Sequence, residues 1–168
     1  MEYAITDRNW LNIKLGDFAT RITKGGTPTT YGFSFQKSGI NFIKVENVVN
    51  GEINIASISD FISKDAHAFQ QKSQLTEGDI LFSIAGTIGE TCIVKKEHLP
   101  ANTNQALAII KGTSKFIITK LLKFQLDAFV AKVKVKARGG AMNNVSLEDL
   151  KNLFVNIPPQ NEQIRLLA

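Results

Sequence analysis

Residues 75–94 constrain the fold more than any other stretch of this chain. Glu77, Gly78 and Asp79 favour a turn, and the apolar run that follows at residues 80–84 has the length of one strand. A short segment from Gly86 to Gly89 interrupts the apolar pattern, which resumes at residues 91–94. The stretch therefore predicts a buried β-hairpin with a glycine-containing loop.

Two interpretations of Gly86 and Gly89 remain open at this point. Glycine adopts backbone conformations that other residues avoid, so the pair could serve only to make the turn. Glycine also lacks a side chain, so the same pair would let a backbone approach a bulky partner closely. The stretch alone does not decide between them.

Length and composition are typical of one soluble globular domain. The chain has 168 residues, 43% hydrophobic and 21% charged, which suffices for a core. No apolar run approaches the roughly 20 residues of a membrane helix, and residues 1–8 lack a signal-peptide pattern. We therefore expect a cytoplasmic protein without a membrane partner. The single cysteine, Cys92, excludes an internal disulfide, and with only His67 and His98 beside it a metal site is not expected.

Positive charge is concentrated in one part of the chain. Residues 111–138 contain eight basic residues and one acidic residue, Asp127, so this stretch carries +7 while the whole chain carries +5. Such a local field indicates a polyanionic partner. A solvated helix face would explain Lys120 and Lys123 equally well, but it explains residues 132–138 less well.

The basic stretch is predicted to contain two elements. A helix capped by Ser114 should run to about Ala131, with an apolar face formed by residues 117, 121, 124 and 128 and with residues 118, 122 and 129 beside it. Residues 132–138 then alternate charged and apolar side chains, a period of two that favours an edge strand with one basic face. A loop with two glycines and two asparagines follows at residues 138–144.

Two further loops carry many hydrogen-bonding groups. Residues 24–31 contain Gly25 and Gly26, which permit positive φ, together with a proline, three threonines and a tyrosine, but not the spacing of a phosphate-binding loop. Asn104 and Gln105 precede the strand predicted at residues 106–110. Side-chain amides at such a position either contact adenine edges in a major groove or satisfy the loop backbone.

The remaining elements have clear local signals. Asn50-Gly51 predicts a hairpin turn, Ser63 caps a short helix that places His67 at the surface, and residues 146–149 form a capping box. A last strand at residues 153–157 precedes Pro158-Pro159 and the start of a final helix. That helix would be marginal alone, so it either docks on the domain or is the beginning of a longer one.

Four motifs in this order resemble a known family. They are Gly-Gly-Thr-Pro at 25–28, Gly-Asp-Ile-Leu at 78–81 with Gly-Thr-Ile-Gly at 86–89, Asn104-Gln105, and Ile-Pro-Pro-Gln-Asn-Glu-Gln-Ile at 157–164. Each motif is weak alone. As an ordered set over residues 11–168 they resemble a target recognition domain from the DNA-specificity subunit of type I restriction–modification systems.

The resemblance implies a fold and a domain organisation. We expect an α+β fold: a single target recognition domain with a mixed, strongly curved β-sheet and hairpins, a few flanking helices, and the start of a C-terminal helix of the coiled-coil type. The domain should cover residues 1–159, with residues 160–168 as the truncated start of a spacer or dimerisation helix. A full specificity subunit usually has two such domains, so the chain resembles a half subunit, a truncated subunit or an excised domain.

The resemblance also implies a function without catalysis. The chain would recognise double-stranded DNA and, as part of a type I complex, direct adenine methylation and cleavage by methyltransferase and restriction/translocase subunits. It would bind no cofactor; S-adenosylmethionine, ATP and Mg would be bound by those partner subunits. A second recognition domain or a second copy of the chain would complete the site, with contacts at Ile164, Leu166 and Leu167. The residues expected to contact DNA are Lys24, Thr27, Thr29, Tyr31, Thr87, Asn104, Gln105, Lys132, Lys134, Lys136, Arg138, Asn143 and Asn144.

Other classes of function remain open from the sequence. An enzyme could use Glu77, Asp79 and Glu90 as acid–base groups beside the glycine loop, although no catalytic pair has a motif spacing. The chain could be the DNA recognition region of a fused restriction–methylation enzyme. It could also be a module that binds only protein.

Overall fold

A computed structural model describes residues 3–5, 9–136 and 145–168, and the side chains of residues 9–131 and 145–168. These parts of the chain contain twelve strands and five α-helices. The strands are β1 (Tyr3–Ile5), β2 (Leu11–Lys14), β3 (Arg21–Lys24), β4 (Ile40–Ile43), β5 (Val48–Val49), β6 (Glu52–Ile53), β7 (Phe61–Ile62), β8 (Ile80–Ser83), β9 (Thr91–Ile93), β10 (Ala101–Thr103), β11 (Leu107–Lys111) and β12 (Phe154–Ile157). The helices are α1 (Leu15–Phe18), α2 (Lys64–Phe69), α3 (Thr119–Lys136), α4 (Leu147–Asn152) and α5 (Gln160–Leu167). Short 3-10 turns lie at Pro28–Tyr31, Val45–Asn47, Ile55–Ser57, Gln71–Ser73 and Lys96–His98.

A four-stranded antiparallel sheet, in the order β3-β11-β8-β9, forms the middle of the molecule. Its strands β8 and β11 are buried on both faces, which explains the continuous apolar run that marks β8 in the sequence. The hairpin predicted from residues 75–94 is confirmed, since β8 and β9 pair directly.

The two faces of this sheet support two hydrophobic clusters. Ile80 and Phe82 point into the cluster that contains α3 and strands β2 and β12. Leu81 and Ile109 point into the other cluster, with residues from β4, β6 and β10. This alternation is the period of two expected of a strand, and it makes β8 and β11 the shared layer of both clusters.

Three smaller sheets surround the central one. Strands β1, β2 and β12 form an antiparallel sheet, and β5 and β6 form the hairpin predicted at Asn50-Gly51. The third sheet, β10-β4-β7, is mixed, because β10 runs parallel to β4 and β7 runs antiparallel to it. The α+β class is therefore confirmed, with the strands divided among several small sheets.

Local capping signals in the sequence are also confirmed. The Ser63 hydroxyl accepts a hydrogen bond from Ala66 N at 3.1 Å at the start of α2. Ser146 and Asp149 form the predicted capping box of α4. The hydrogen bonds from Ser146 lower the pKa of the Asp149 carboxyl, because they favour its charged form.

The long helix differs from its prediction in two respects. It begins at Thr119 and not after Ser114, since residues 114–116 form a turn. Its core-facing residues are Leu122, Leu126 and Val130, at intervals of four, while Phe124 of the predicted face is exposed. The inward face is therefore displaced by about one residue from the predicted one, which leaves the Phe124 ring outside the core.

The edge strand predicted at residues 132–138 is wrong, because α3 continues through Lys136. Starting a helix is costly, whereas each added residue extends it cheaply, and lysine is a good helix former. A short alternation of charged and apolar residues does not outweigh a helix that has already formed and extends to Lys132. Residues two apart on a helix lie about 200° apart around its axis, so Lys134 falls on the side opposite Lys132 and Lys136.

Candidate nucleic-acid interface

Three of the loops expected to contact DNA leave the central sheet at the same end. We name residues 24–31 segment 1, residues 85–89 segment 2 and residues 102–105 segment 3. Lys24, the last residue of β3, pairs with Ala108 near the start of β11. Ser83, the last residue of β8, pairs with Leu107. Because these strands are antiparallel, the end of β3, the start of β11 and the end of β8 lie at the same end of the sheet.

Segments 1 and 3 are in direct contact. The hydroxyl of Thr27 donates to Oε1 of Gln105 at 2.5 Å, and the backbone N–H of Gly26 donates to the Thr103 carbonyl at 3.2 Å. A Cβ on Gly25 would lie 1.8 Å from the same carbonyl oxygen, so the close approach requires glycine there. Gly25 and Gly26 do not adopt the positive φ that we expected, and Gly25 serves instead to admit this neighbouring backbone.

Segment 2 is attached beside segment 3 and against α3. Ile84 N donates to the Ala106 carbonyl at 2.8 Å. Gly86 and Gly89 both have positive φ, which supports the turn-making interpretation. Gly89 also lies under Val130 of α3, because a Cβ there would come within 2.3 Å of the valine Cγ1.

Segment 2 therefore lies beside the last turns of α3, the helix that carries Lys132, Lys134 and Lys136. Arg138, Asn143 and Asn144 lie outside the described residues. The chain returns at Val145, whose N–H donates to the Ile84 carbonyl at 3.1 Å. The connection from α3 to α4 thus rejoins the described chain beside the start of segment 2.

The other predicted contact residues occupy two kinds of position. Lys24, Thr29, Tyr31, Thr87 and Gln105 are exposed at this end of the molecule. Asn104 is half-buried, and its Oδ1 accepts from Ala106 N at 3.1 Å. The Asn104 oxygen is thus bonded to its own loop and the Gln105 oxygen to Thr27, while the Gln105 side chain as a whole is exposed.

Asp79 and Glu90, two of the three carboxylates proposed for an enzyme, do not converge. Asp79 precedes β8 and Glu90 precedes β9, so they lie at opposite ends of the hairpin. The Asp79 carboxylate is buried, accepts from Thr76 N at 2.8 Å and forms an ion pair with Lys111. These bonds give Asp79 a structural role, and no group of three or more potential metal ligands occurs among the residues that the structure describes.

Comparison with known proteins gives the family. A sequence model of the type I restriction modification DNA specificity domain matches residues 7–166. The chain belongs to this family. The resemblance found in the sequence is thereby confirmed, and the family assignment supports a non-catalytic DNA-recognition domain.

Two curated relatives agree with this assignment. The type I restriction enzyme EcoBI specificity subunit of Escherichia coli is 32% identical over 129 residues, covering 76% of this chain and 27% of the relative. A putative type I restriction enzyme specificity subunit of Haemophilus influenzae, S.HindORF215P, is 27% identical over 161 residues, covering 93% of this chain and 38% of the relative. The chain therefore spans less than half the length of either relative.

Two solved structures share the fold. The HsdS subunit from Thermoanaerobacter tengcongensis superposes with a TM-score of 0.70 at 20% identity, over 98% of this chain and 37% of that one. The type I restriction–modification S subunit from M. genitalium gives a TM-score of 0.60 at 15% identity, over 96% of this chain and 38% of that one. These structures support the α+β architecture of this specificity domain.

A cavity of about 400 Å³ lies beside segment 1 and was not foreseen from the sequence. It is lined by Lys24, Gly26 and Tyr31 on one side and by Phe69, Gln70 and Lys72 on the other. Neither Gln70 nor Lys72 belongs to a motif, and the two sides of the cavity are about forty residues apart in the chain. Phe69, the last residue of α2, is exposed.

The final helix is anchored through its first turn. Gln163 is 4% exposed; its Oε1 accepts from Ile118 N at 2.8 Å and its Nε2 donates to the carbonyls of Phe116 and Pro158. Ile164 and Leu166 are 60% and 47% exposed, and Leu167 is half-buried. One face of α5 therefore docks on the domain, and another presents apolar side chains to solvent.

Among the described residues no helix is both long and apolar enough to cross a membrane.

Proposed function

We propose that this chain recognises one half of a bipartite double-stranded DNA site as the target recognition domain of a type I specificity subunit. The observation that carries the proposal is the meeting of segments 1, 2 and 3 at one end of the central sheet, in a chain that belongs to the DNA specificity domain family. Backbone at glycines, exposed hydroxyls and the Gln105 amide would meet the duplex together at this end.

The chemistry of the side chains indicates which of them contact phosphates and which contact bases. Lys24 and the lysines at the end of α3 contact phosphates and set the position of the domain, without distinguishing bases. Gln105, Thr27, Thr29, Tyr31 and Thr87 supply the hydrogen-bonding groups for base edges. Arg138, Asn143 and Asn144 would add to both sets from the connection that follows α3.

Partner subunits would supply the chemistry. Methyltransferase subunits carrying S-adenosylmethionine would methylate adenine, and restriction/translocase subunits using ATP and Mg would move and cut DNA. Residues 1–159 would then form the recognition domain, and α5 would begin the spacer or dimerisation helix. In this arrangement the exposed Ile164 and Leu166, together with Leu167, contact a second recognition domain, a second copy or a methyltransferase subunit.

DNA binding is tested by fluorescence anisotropy with a labelled duplex of random sequence at low salt. The Lys134→Ala, Lys136→Ala double variant should bind every sequence more weakly, because alanine preserves the helix but removes two cations. The negative slope of log affinity against log salt should become shallower by up to about 0.9 for each phosphate that the variant no longer neutralises. Lys115→Ala is the matched control, since this exposed lysine follows the opposite end of β11.

Two outcomes would count against the DNA proposal. A wild-type chain that does not bind duplex at low salt would favour a protein-only module. Wild-type binding that is unchanged in the double variant at both low and high salt would reject the basic end of α3 as the phosphate contact.

Assembly through α5 is tested separately by sedimentation. Deleting residues 160–168 would also remove the Gln163 anchor, so we favour the double variant Ile164→Asp, Leu166→Asp, which keeps it. The wild-type chain should associate with itself or with a methyltransferase subunit, and the variant should not. A wild-type chain that stays monomeric and binds no such subunit would reject the contact.

A further inference from the structure

The cavity beside segment 1 contains a buried amide without a hydrogen-bond partner. Gln70 is 7% exposed, and neither its Nε2 nor its Oε1 has a partner among the residues that the structure describes. Buried polar groups are nearly always paired, so an unpaired donor and acceptor on one side chain call for an explanation. Because Gln70 lines the cavity, a group entering there would be positioned to pair with both.

The backbone that carries this amide is held firmly. Asn102 is fully buried, and its Nδ2 donates to the Gln70 carbonyl at 3.2 Å and to the Ser73 hydroxyl at 2.7 Å. The Asn102 Oδ1 is in turn bonded to Nδ1 of His67. The backbone of Gln70 is thus held in place, and its amide is a buried donor–acceptor pair and not an exposed surface group.

The other walls of the cavity suit a planar group attached to an anion. The rings of Tyr31 and Phe69 are 51% and 61% exposed, and their centroids are 5.4 Å apart. Exposed rings of this kind stack on flat heteroaromatic groups. Lys24 and Lys72 are exposed at the border, where they would meet phosphates.

Because Gly26 has no side chain, a ligand can come close to the Gln70 amide from this side of the cavity. A Cβ there would lie 3.3 Å from Cε2 of Tyr31 and 3.6 Å from Oε1 of Gln70. The Tyr31 ring therefore stands next to the buried amide, on an exposed 3-10 turn. Rotation of this ring toward solvent would uncover Gln70 and offer the ring itself as a stacking surface.

We propose that this cavity accepts a nucleobase displaced from the duplex stack, with the Gln70 amide bonded to the base edge and the base beside Tyr31 and Phe69. Each of the four bases presents an adjacent donor and acceptor that a side-chain amide can match. At about 400 Å³ the cavity is at the small end of ligand pockets, which measure roughly 300–1,000 Å³. The proposal rests on the proposed DNA-binding function and adds a site to it.

The test compares two labelled duplexes of one sequence by fluorescence anisotropy at low salt. One duplex is fully paired, and the other has an abasic analogue opposite one central base, in four versions that carry each of the four bases. Displacing a base normally costs its pairing and stacking, and the abasic duplex has already lost the pairing. The wild-type chain should bind at least one abasic version about tenfold or more tighter than the paired duplex.

The variant Gln70→Met removes both hydrogen-bonding groups with little change of shape. It should lose most of the preference for the abasic duplex and keep wild-type affinity for the paired one. Its unfolding midpoint should be unchanged or raised, because it removes an unpaired buried group, whereas a purely structural amide would lower it on removal. Gln160→Met, at an exposed position outside the cavity, is the matched control.

Each remaining outcome would overturn either the base pocket or the DNA-binding function. Equal wild-type affinity for paired and abasic duplexes, or a full preference retained in Gln70→Met, overturns the base pocket while the DNA-binding function stands. Equal weakening of both duplexes by Gln70→Met would assign Gln70 to an intact base pair and also overturns the pocket. Failure of the wild-type chain to bind the paired duplex overturns the DNA-binding function itself.

Discussion

Thr27 and Gln105 form a hydrogen bond of 2.5 Å that joins two loops 78 residues apart in the chain. The bond lies at the exposed end of the central sheet, beside the backbone bond between Gly26 and Thr103. Two loops fixed to each other in this way present their polar groups as one surface. Pre-formed surfaces lose less conformational freedom on binding than loops that must be ordered.

This bond predicts a measurable coupling between Thr27 and Gln105. In a double-mutant cycle with Thr27→Val and Gln105→Met, the coupling free energy of unfolding should be about 0.5–1.5 kcal/mol. Urea denaturation of the four proteins measures it. The same cycle with Thr29→Val in place of Thr27→Val should be additive, because the bond observed at Gln105 comes from Thr27. Additivity in the first cycle would show that the two loops are not joined in solution.

The close approach at Gly25 predicts a steric penalty. Gly25→Ala places a methyl group 1.8 Å from the Thr103 carbonyl oxygen, so segments 1 and 3 must separate. We expect a loss of roughly 1–3 kcal/mol in the free energy of unfolding, with weaker DNA binding. Gly26→Ala is the control, since its methyl group would meet only the ends of two side chains, the Tyr31 ring at 3.3 Å and Gln70 Oε1 at 3.6 Å. Equal stability of the two variants would contradict this packing of segment 1 on segment 3.

Local signals in the sequence were sufficient for much of the fold. The apolar run at Ile80–Ser83, the Asn50-Gly51 turn and the Ser146 capping box each depend on neighbours in the chain, and all three are confirmed. The strand predicted beyond Lys132 failed because an alternating pattern of a few residues competes with a helix that has already formed. The period of a pattern is a weak guide where two elements adjoin.

The candidate site was predictable only in part. Glycine- and amide-containing loops were identified from the sequence, and the antiparallel pairing of β3, β11 and β8 brings three of them together. Gln70 was missed because its properties come from its surroundings: it is buried by residues distant in the chain, and its backbone is bonded by Asn102. The sequence distance between Gln70 and Tyr31 gives no indication that the two residues line one cavity.

The anchor of α5 predicts a large effect from a single side chain. Gln163→Leu keeps the volume of the side chain but removes its three hydrogen bonds, to Ile118 N and to the carbonyls of Phe116 and Pro158. The free energy of unfolding should fall by roughly 1–3 kcal/mol, since the bond to the Pro158 carbonyl is buried and the other two are partly buried. Gln160→Leu, at an exposed position of the same helix, should change it little. Similar denaturation curves for the two variants would mean that α5 is not docked.

His98 predicts a pH dependence of stability. It is buried, and its Nδ1 accepts a hydrogen bond from Lys95 N at 2.9 Å. Burial lowers the pKa of His98 in the folded protein, while an unfolded histidine has a pKa of about 6.5. The unfolded chain therefore takes up this proton first as the pH falls. The stabilisation is complete above about pH 6.5 and is progressively lost below it, until the pH passes the folded pKa.

A matched variant isolates this effect. In the corresponding turn at Val45–Asn47, the Asn47 Oδ1 accepts from Lys44 N at 2.8 Å, so His98→Asn offers a similar acceptor that does not titrate. Urea denaturation between about pH 5.5 and 7.5 avoids most carboxylate titration. Wild-type stability should fall toward the lower pH by up to about 1.4 kcal/mol per pH unit more than that of the variant. His67 is present in both proteins, so its effect cancels in the comparison. Parallel pH profiles of the two proteins would therefore show that folding does not change the protonation of His98.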